Sequence, residues 1–71
     1  MKTYHMTSTP GIYTPGVFHW IMMSVLPFDP PKAEELLAAL GFPAEVAASL
    51  AQRDPAVTWT VEDETLIVTT P

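Results

Sequence analysis

The sequence predicts the α+β class, with an N-terminal strand, a helical hairpin and a C-terminal β-hairpin that together form a three-stranded sheet backed by two helices. Residues 33–53 repeat apolar side chains at helical spacing around one glycine, which is typical of two packed helices. Residues 57–70 alternate apolar and polar side chains, the period of half-buried strands. A continuous apolar run at 17–26 favours a further, mostly buried strand.

The composition is that of one small folded domain. With 71 residues, 48% hydrophobic and 15% charged, the chain is too apolar for a disordered linker. Cysteine is absent and only two histidines occur, so disulfides and thiolate chemistry are excluded, and we expect neither a zinc site nor another cofactor. A core of this size seldom supplies more than ~3–5 kcal/mol, so we expect extra stability from self-association or docking.

The charge pattern disfavours nucleic acid and anionic membranes as partners. The net charge is −5, and the basic residues Lys2, Lys32 and Arg53 are scattered along the chain, whereas phosphate binding needs a basic stripe. The longest apolar run has ten residues, about half of what a membrane helix requires, and the N-terminus lacks the apolar segment of a secretory signal. We therefore expect a soluble protein, cytoplasmic or otherwise intracellular.

The N-terminal part divides into an arm and a strand. Residues 1–16 contain two Pro-Gly pairs, at 10–11 and 15–16, and each pair favours a type II turn. We interpret 1–16 as a flexible arm and 17–71 as a single small α+β domain. An alternative is that the arm packs onto a partner through Tyr4, Ile12 and Tyr13.

The apolar run at 17–26 is interpreted as a strand because β-branched and aromatic residues open it and Pro27 closes it. The adjacent Met22 and Met23 also fit a helix. Within the run, His19 lies between Phe18 and Trp20 with no carboxylate or serine placed near it, so no catalytic role is predicted for it.

The helical hairpin has recognisable ends. Asp29 is placed to cap the first helix, and Gly41 to end it in a left-handed conformation, with Phe42 folding back onto Leu37. A second helix begins almost at once and ends before Pro55, because the residue preceding a proline disfavours the α region. The short connection predicts a tight corner between the two helices.

The hydrophobic pattern selects one register for the C-terminal hairpin. A loop at residues 63–64 places Val61 opposite Leu66 and Trp59 opposite Val68, which gathers the large apolar side chains on one face; a shift by one residue would separate them. The loop lacks the glycine that a type I′ turn prefers, so a longer or strained turn is the alternative.

No arrangement in the sequence carries the residues of an enzyme. The serines lie outside a nucleophile motif, and no glycine-rich phosphate loop is present. The acidic residues 62–64 are consecutive and lack the spacing of a calcium loop, so we interpret them as a solvated turn. The residues predicted to form an apolar pocket, or else a core or interface, are Phe18, Trp20, Met22, Met23, Phe42, Val57, Trp59 and Val61.

Residues 33–71 resemble the first half of the intracellular lipid-binding proteins, the fatty-acid and retinoid carriers with a β-clam fold. The resemblance lies in "EELLAALG", in the length of the segment 42–54 and in "PAVTWTVEDETLIVTT"; a looser match relates Gly16 and Trp20 to the Gly-x-Trp strand of that family. The chain departs from the family at Ala33, where an aromatic is usual. The family's ligand-binding arginine and tyrosine fall outside the matched part.

The resemblance implies a non-catalytic binding protein, in which a partial β-clam shares an apolar cavity with a second chain and holds a fatty acid, a retinoid or a similar ligand. Its partner would be another copy or another protein, because an incomplete barrel exposes sheet edges that recruit strands. Two alternatives remain open: a structural subunit that docks onto a larger assembly without a ligand, and an acidic protein inhibitor.

Overall fold

The computed structural model describes residues 1–71 and consists of an open, three-stranded antiparallel sheet with helices packed on one face. The sheet order is β1-β3-β2, so β3 is central and both other strands are edges. This arrangement confirms the predicted α+β class. The elements are β1 Lys2–Thr7, α1 Thr14–Trp20 followed by a π-helical segment Ile21–Val25, α2 Pro30–Leu40, α3 Ala44–Ala51, β2 Thr58–Glu62 and β3 Thr65–Thr70.

The prediction of a strand at 17–26 is wrong, because this segment is helical. Pro15 lies in the first turn of α1, where its fixed φ favours a helix and its missing N–H is not needed. Phe18, Ile21, Met22 and Leu26 are buried, and their spacing of three or four residues follows one face of a helix. The β-branched and aromatic content of the run concealed this period.

Part of the predicted N-terminal arm is the missing strand. Residues 2–7 form β1, which pairs antiparallel with β3 and places Tyr4 opposite Val68 and Met6 opposite Leu66. Tyr4 and Met6 pack against the core, while the intervening His5 is exposed. The assignment of these residues to an arm outside the domain is therefore corrected: burial of one face of β1 joins it to the sheet.

The two Pro-Gly pairs have different structures. At residues 10–11 the predicted turn is present: Thr9 and Ile12 exchange main-chain hydrogen bonds of 3.1 and 2.9 Å, and Gly11 has φ +85°. At residues 15–16 the predicted turn is absent, because this pair lies inside α1.

The helical hairpin is confirmed at both of its predicted ends. The Asp29 carboxylate accepts a hydrogen bond from the N–H of Lys32 at 3.2 Å, as an N-cap does. Gly41 has φ +131°, and the N–H of Phe42 donates to the C=O of Leu37 at 3.3 Å. Phe42 and Leu37 are both buried, so the helix end is fixed by apolar packing as well as by the main-chain bond.

The hairpin also has the predicted register. Val61 lies opposite Leu66 and Trp59 opposite Val68, and the loop is the pair Asp63–Glu64, with φ +48° and +63°. Positive φ at both central residues is the property of a type I′ turn. The chain thus forms the short hairpin turn without the glycine that usually provides it.

The core lies between one face of the sheet and the helices. Leu66 and Val68 of the central strand are completely buried, as are Ala33 and Leu37 of α2 and Ala47 of α3. None of the helices combines the length and the apolarity that are needed to cross a membrane.

Candidate functional site

The eight side chains predicted to form an apolar pocket or interface divide between the core and the surface. Four are buried and four are about half exposed or more. Of the eight, two buried and two exposed members come together around one depression beside β2. The buried members are Phe18, Met22, Phe42 and Val57, and the exposed members are Trp20, Met23, Trp59 and Val61.

An aromatic cluster holds Trp59 in place. The Phe18 and Trp59 rings meet edge to face, with centroids 5.3 Å apart and planes at 70°, and Phe18 also contacts Phe42 at 6.1 Å. These are favourable geometries for aromatic pairs. Although it is packed on one side, Trp59 remains 48% exposed, so it presents an ordered aromatic surface to solvent.

The depression beside β2, which we call the β2 groove, is lined mainly by hydrophobic side chains and has a volume of about 230 Å³. It is open to solvent and lies between the π-helical segment, the end of α3 and the start of β2. Five of its eight residues are hydrophobic. The lining residues are Met22, Met23, Leu50, Arg53, Asp54, Pro55, Val57 and Trp59.

The polar side of the β2 groove is built by the connection between α3 and β2. Arg53 has φ +55°, and Asp54 is fixed by three hydrogen bonds: its N–H donates to the C=O of Ser49, its C=O accepts from Val57 and its carboxylate accepts from Ala56, at 3.0, 3.1 and 2.9 Å. Arg53 takes part in no salt bridge, since the one ion pair in the structure joins Lys32 and Glu35.

The residues that form this polar side are not predicted from the sequence as part of a site. In the sequence, residues 50–54 are predicted only to end the second helix before Pro55, with no role in a site. The sequence around Arg53 and Asp54 gives little indication of a site, because Met23 and Trp59 lie on other elements and come close to them only in the folded chain. The available signal was the position of an arginine shortly before a strand that carries an exposed tryptophan.

The outer edge of β2, which we call the β2 edge, has unpaired main-chain groups. In a two-residue type I′ hairpin, the residues that flank the loop, here Glu62 and Thr65, are hydrogen-bonded to each other. Because hydrogen-bonded and non-hydrogen-bonded pairs alternate, Trp59 and Val61 direct their N–H and C=O groups away from β3. Neither residue makes a main-chain hydrogen bond to a loop, cap or side chain.

The acidic turn borders the β2 edge. Glu62, Asp63 and Glu64 are exposed and form no salt bridge. No group of three or more histidine, aspartate or glutamate side chains lies close enough together to hold a metal ion. The acidic turn places negative charge at the C-terminal end of β2, next to the exposed side chains of Trp59 and Val61. Arg53 places positive charge near the start of β2.

The lipid-carrier resemblance stays a prediction, and the segment that it matched loosely to a first strand, with Gly16 and Trp20, is helical here. The β2 groove and the β2 edge are thus the features from which a function can be inferred. Comparisons with models of protein families, with curated proteins and with solved structures find no match to this chain.

Proposed function

We propose that the chain is a non-catalytic protein-interaction module, which takes an apolar side chain of a partner into the β2 groove and pairs with the partner's main chain along the β2 edge. The observation that carries this proposal is the position of Trp59. Its ring is ordered and half exposed, it borders an apolar depression, and its main chain lies on the open edge of the sheet.

Trp59 has the properties of an interface anchor. Its contact with Phe18 fixes the ring before binding, so little side-chain entropy is lost when a partner covers it. Tryptophan is among the residues that contribute most to binding energy when they are buried at the centre of an interface. Met23, which is 63% exposed in the same groove, offers a flexible apolar surface that adapts to the group it contacts.

The main chain of β2 supplies the second contact. An unpaired strand edge binds an extended segment of another chain through N–H···O bonds, and neighbouring pockets choose the side chains. Proteins commonly protect such edges with lysine, proline or a bulge. Between Thr58 and Val61 β2 has none of these, and its apolar residues Trp59 and Val61 are each about half exposed.

The dimensions of the β2 groove favour a side chain over an enclosed small molecule. Its volume of about 230 Å³ lies below the ~300–1,000 Å³ of typical small-molecule sites. The helix-facing side of the sheet is filled by the core, since Leu66 and Val68 are completely buried. A hydrocarbon ligand such as a fatty acid is the second candidate, favoured by the hydrophobic residues that line the groove.

Site-specific photocrosslinking tests the proposal. Met23→benzoylphenylalanine places a photoreactive aromatic group in the β2 groove, and Phe28→benzoylphenylalanine is the matched control. Phe28 is 86% exposed and lies outside the groove, so it reports chance encounters. After irradiation in the producing cells, we expect a defined crosslinked polypeptide from position 23 and only diffuse products from position 28.

Two results would count against this function. Equal crosslinking from both positions would show that the β2 groove has no preferred partner. The second result would come from native mass spectrometry of the chain purified without delipidation. A bound hydrocarbon ligand would add a few hundred daltons to the mass of each chain. That mass, together with no polypeptide crosslinked at position 23, would favour the hydrocarbon candidate instead.

A further inference from the structure

We propose that the partner at the β2 edge is a second copy of this chain, and that the two β2 strands pair antiparallel about a twofold axis that passes Thr60. This inference rests on the proposed function, because it names the occupant of the same edge. The resulting dimer would have one continuous six-stranded sheet, with the helices of both copies on the same face.

The unpaired main-chain groups of β2 match those of a second β2. With Thr60 on the axis, Trp59 of each copy lies opposite Val61 of the other. These are the residues whose N–H and C=O groups point outward from the sheet, so each Trp59–Val61 pair exchanges two hydrogen bonds, about four in total. All five residues of β2, Thr58–Glu62, then have a partner.

The side chains also match. Residues directly opposite each other in an antiparallel pair lie on the same face of the sheet, so Val61 of the second copy meets Trp59 beside the β2 groove. Aromatic and β-branched residues are favourable cross-strand neighbours. The pairing covers two side chains that are 48% and 47% exposed in the single chain, and the second copy contributes a residue to the wall of the groove.

The distribution of charge disfavours a neighbouring register. The acidic turn of one copy comes beside the start of β2 in the other, where Arg53 lies and has no ion pair of its own. Centring the pair on Trp59 instead would place Glu64 opposite Asp54 of the second copy, which brings like charges together. The register about Thr60 places Glu64 opposite the uncharged Ala56, so the like charges of Glu64 and Asp54 lie further apart.

The other edge of the sheet is less suited to a second copy. The C=O of Thr7, at the end of β1, already accepts a hydrogen bond from the Thr14 hydroxyl at 3.2 Å. On the groove side of the sheet, Tyr4 and Met6 of β1 are packed against the core of their own chain. A second copy at β1 would therefore gain little apolar contact and would meet an edge that is partly occupied.

Cysteine crosslinking tests both the dimer and its register, and the absence of native cysteine makes each single substitution unambiguous. In the proposed register the two Thr60 residues form a non-hydrogen-bonded pair, with Cα atoms about 4.5 Å apart, which suits a disulfide. The two Thr58 residues are displaced by four positions, roughly 13 Å along the strands, beyond the reach of a disulfide. We expect Thr60→Cys to form an intermolecular disulfide under mild oxidation and Thr58→Cys to form none.

Sedimentation equilibrium of the unsubstituted chain supplies a measurement without a crosslink. We expect a monomer–dimer equilibrium, with a dissociation constant that rises about tenfold or more in Val61→Lys, because a lysine on each copy opposes edge pairing. Far-ultraviolet circular dichroism identifies any variant that has unfolded. Should Val61→Lys unfold, Arg53→Glu replaces it, with the same rise expected from like charge at the acidic turn.

A monomeric unsubstituted chain, or a disulfide that forms at position 58 as readily as at position 60, would overturn the inference. These outcomes are separable from failure of the proposed function. If position 23 crosslinks to a different protein while the Thr60→Cys variant stays reduced, the module has another partner. If the Thr60→Cys variant forms the dimer while position 23 crosslinks no more than position 28, the copies pair but the β2 groove is not a docking site.

Discussion

The two edges of the sheet, β1 and β2, differ in how far their outward main-chain groups and apolar side chains are covered by the rest of the chain. At the end of β1, the Thr7 C=O accepts a hydrogen bond from the Thr14 hydroxyl, and Tyr4 and Met6 pack against the core. At β2, Trp59 and Val61 remain about half exposed, and their outward main-chain groups have no partner. The same sheet thus has one edge that its own chain occupies in part, at the end of β1, and one edge, β2, that is open to another molecule.

The difference arises from the segments that adjoin each edge strand. After β1 the turn at residues 9–12 leads straight into α1, where the Ser8 hydroxyl accepts the N–H of Thr14 at 3.1 Å and donates to the C=O of Glu64 at 2.8 Å. All five residues of β2 are exposed, and neither Trp59 nor Val61 makes a main-chain hydrogen bond to a loop or cap. The end of β1 is therefore protected by segments that adjoin it in sequence and in space, and β2 has no such protection.

The substitution with the largest expected effect weakens the strand that supports both edges. Leu66 is completely buried in β3 and lies opposite both Met6 and Val61. Leu66→Ala leaves a cavity, and such substitutions destabilise by ~2–5 kcal/mol, a large share of the stability of a small domain. Chemical denaturation followed by circular dichroism measures the effect. Ile67→Ala, on the opposite face of the same strand, is the control, and we expect it to lose clearly less stability.

A smaller effect is expected at the contact between β1 and the helical hairpin. Gly41 has φ +131°, and a Cβ placed on it would lie 2.9 Å from Cε of Met6. Gly41→Ala therefore adds a close contact with β1 to the strain of a left-handed conformation, and we expect a loss of ~1–2 kcal/mol.

Gly11→Ala is the matched control for this contact. Gly11 also has positive φ, +85°, but no atom lies within 4 Å of an added Cβ. We expect both variants to show the strain and only Gly41→Ala to show the additional loss in thermal unfolding. Equal losses would mean that Met6 moves aside freely, and that this contact does not hold β1 against the helices.

The features that the sequence predicts correctly are those whose residues lie close together in the chain. Asp29 and Gly41 mark the ends of α2 through contacts within a few residues, and alternation selects the pairing of Val61 with Leu66 across a short loop. The sequence predicts both features. It does not predict the pairing of β1 with β3, because the two strands lie at opposite ends of the chain and the alternation in residues 2–7 is weak.

In the apolar run at 17–26, residue types and residue spacing favour different secondary structures. Its residue types favour a strand, whereas the spacing of Phe18, Ile21 and Met22 fits one face of a helix. Pro15 lies in the first turn of that helix, but residues 1–16 are predicted from the sequence to be a flexible arm. The wrong assignment also affects the prediction of the β2 groove, where Met22 and Met23 of this helical segment lie beside Trp59.

Loss of the hydrogen bond between the Thr14 hydroxyl and the Thr7 C=O is expected to have a smaller effect than Gly41→Ala. Thr14 is 6% exposed, and its hydroxyl donates to the C=O of Thr7. Thr14→Val keeps the shape of the side chain but removes the bond, with an expected loss of about 0.5–1.5 kcal/mol. Hydrogen exchange read by NMR should then show less protection at the end of β1, with little change in β2.

Thr60→Val is the control for this substitution. Thr60 is exposed on β2 and makes no side-chain hydrogen bond, so we expect a change within about ±0.5 kcal/mol. If the two variants have the same stability and the same exchange, then the Thr14 hydroxyl does not protect the β1 edge, and the contrast between the edges rests on apolar packing alone.

The smallest expected effect is at the turn between β2 and β3. Glu64 occupies the second central position of the hairpin turn with φ +63°, a conformation that is unfavourable by roughly 1–2 kcal/mol for residues other than glycine. Glu64→Gly removes this strain but adds freedom to the unfolded chain. We therefore expect a net stabilisation of about 0.5–1 kcal/mol, seen as a higher melting temperature.

Glu62→Gly, two residues earlier, is the control that distinguishes relief of turn strain from loss of negative charge as the cause of a higher melting temperature. It also removes one carboxylate from the acidic turn, but residue 62 lies in β2, where glycine is unfavourable. We expect it to lower the melting temperature while Glu64→Gly raises it. If both substitutions raised it, relief of charge repulsion among residues 62–64 would be the cause. The turn would then act on the β2 edge chiefly through its charge, which is the property that the pairing with Arg53 of a second copy requires.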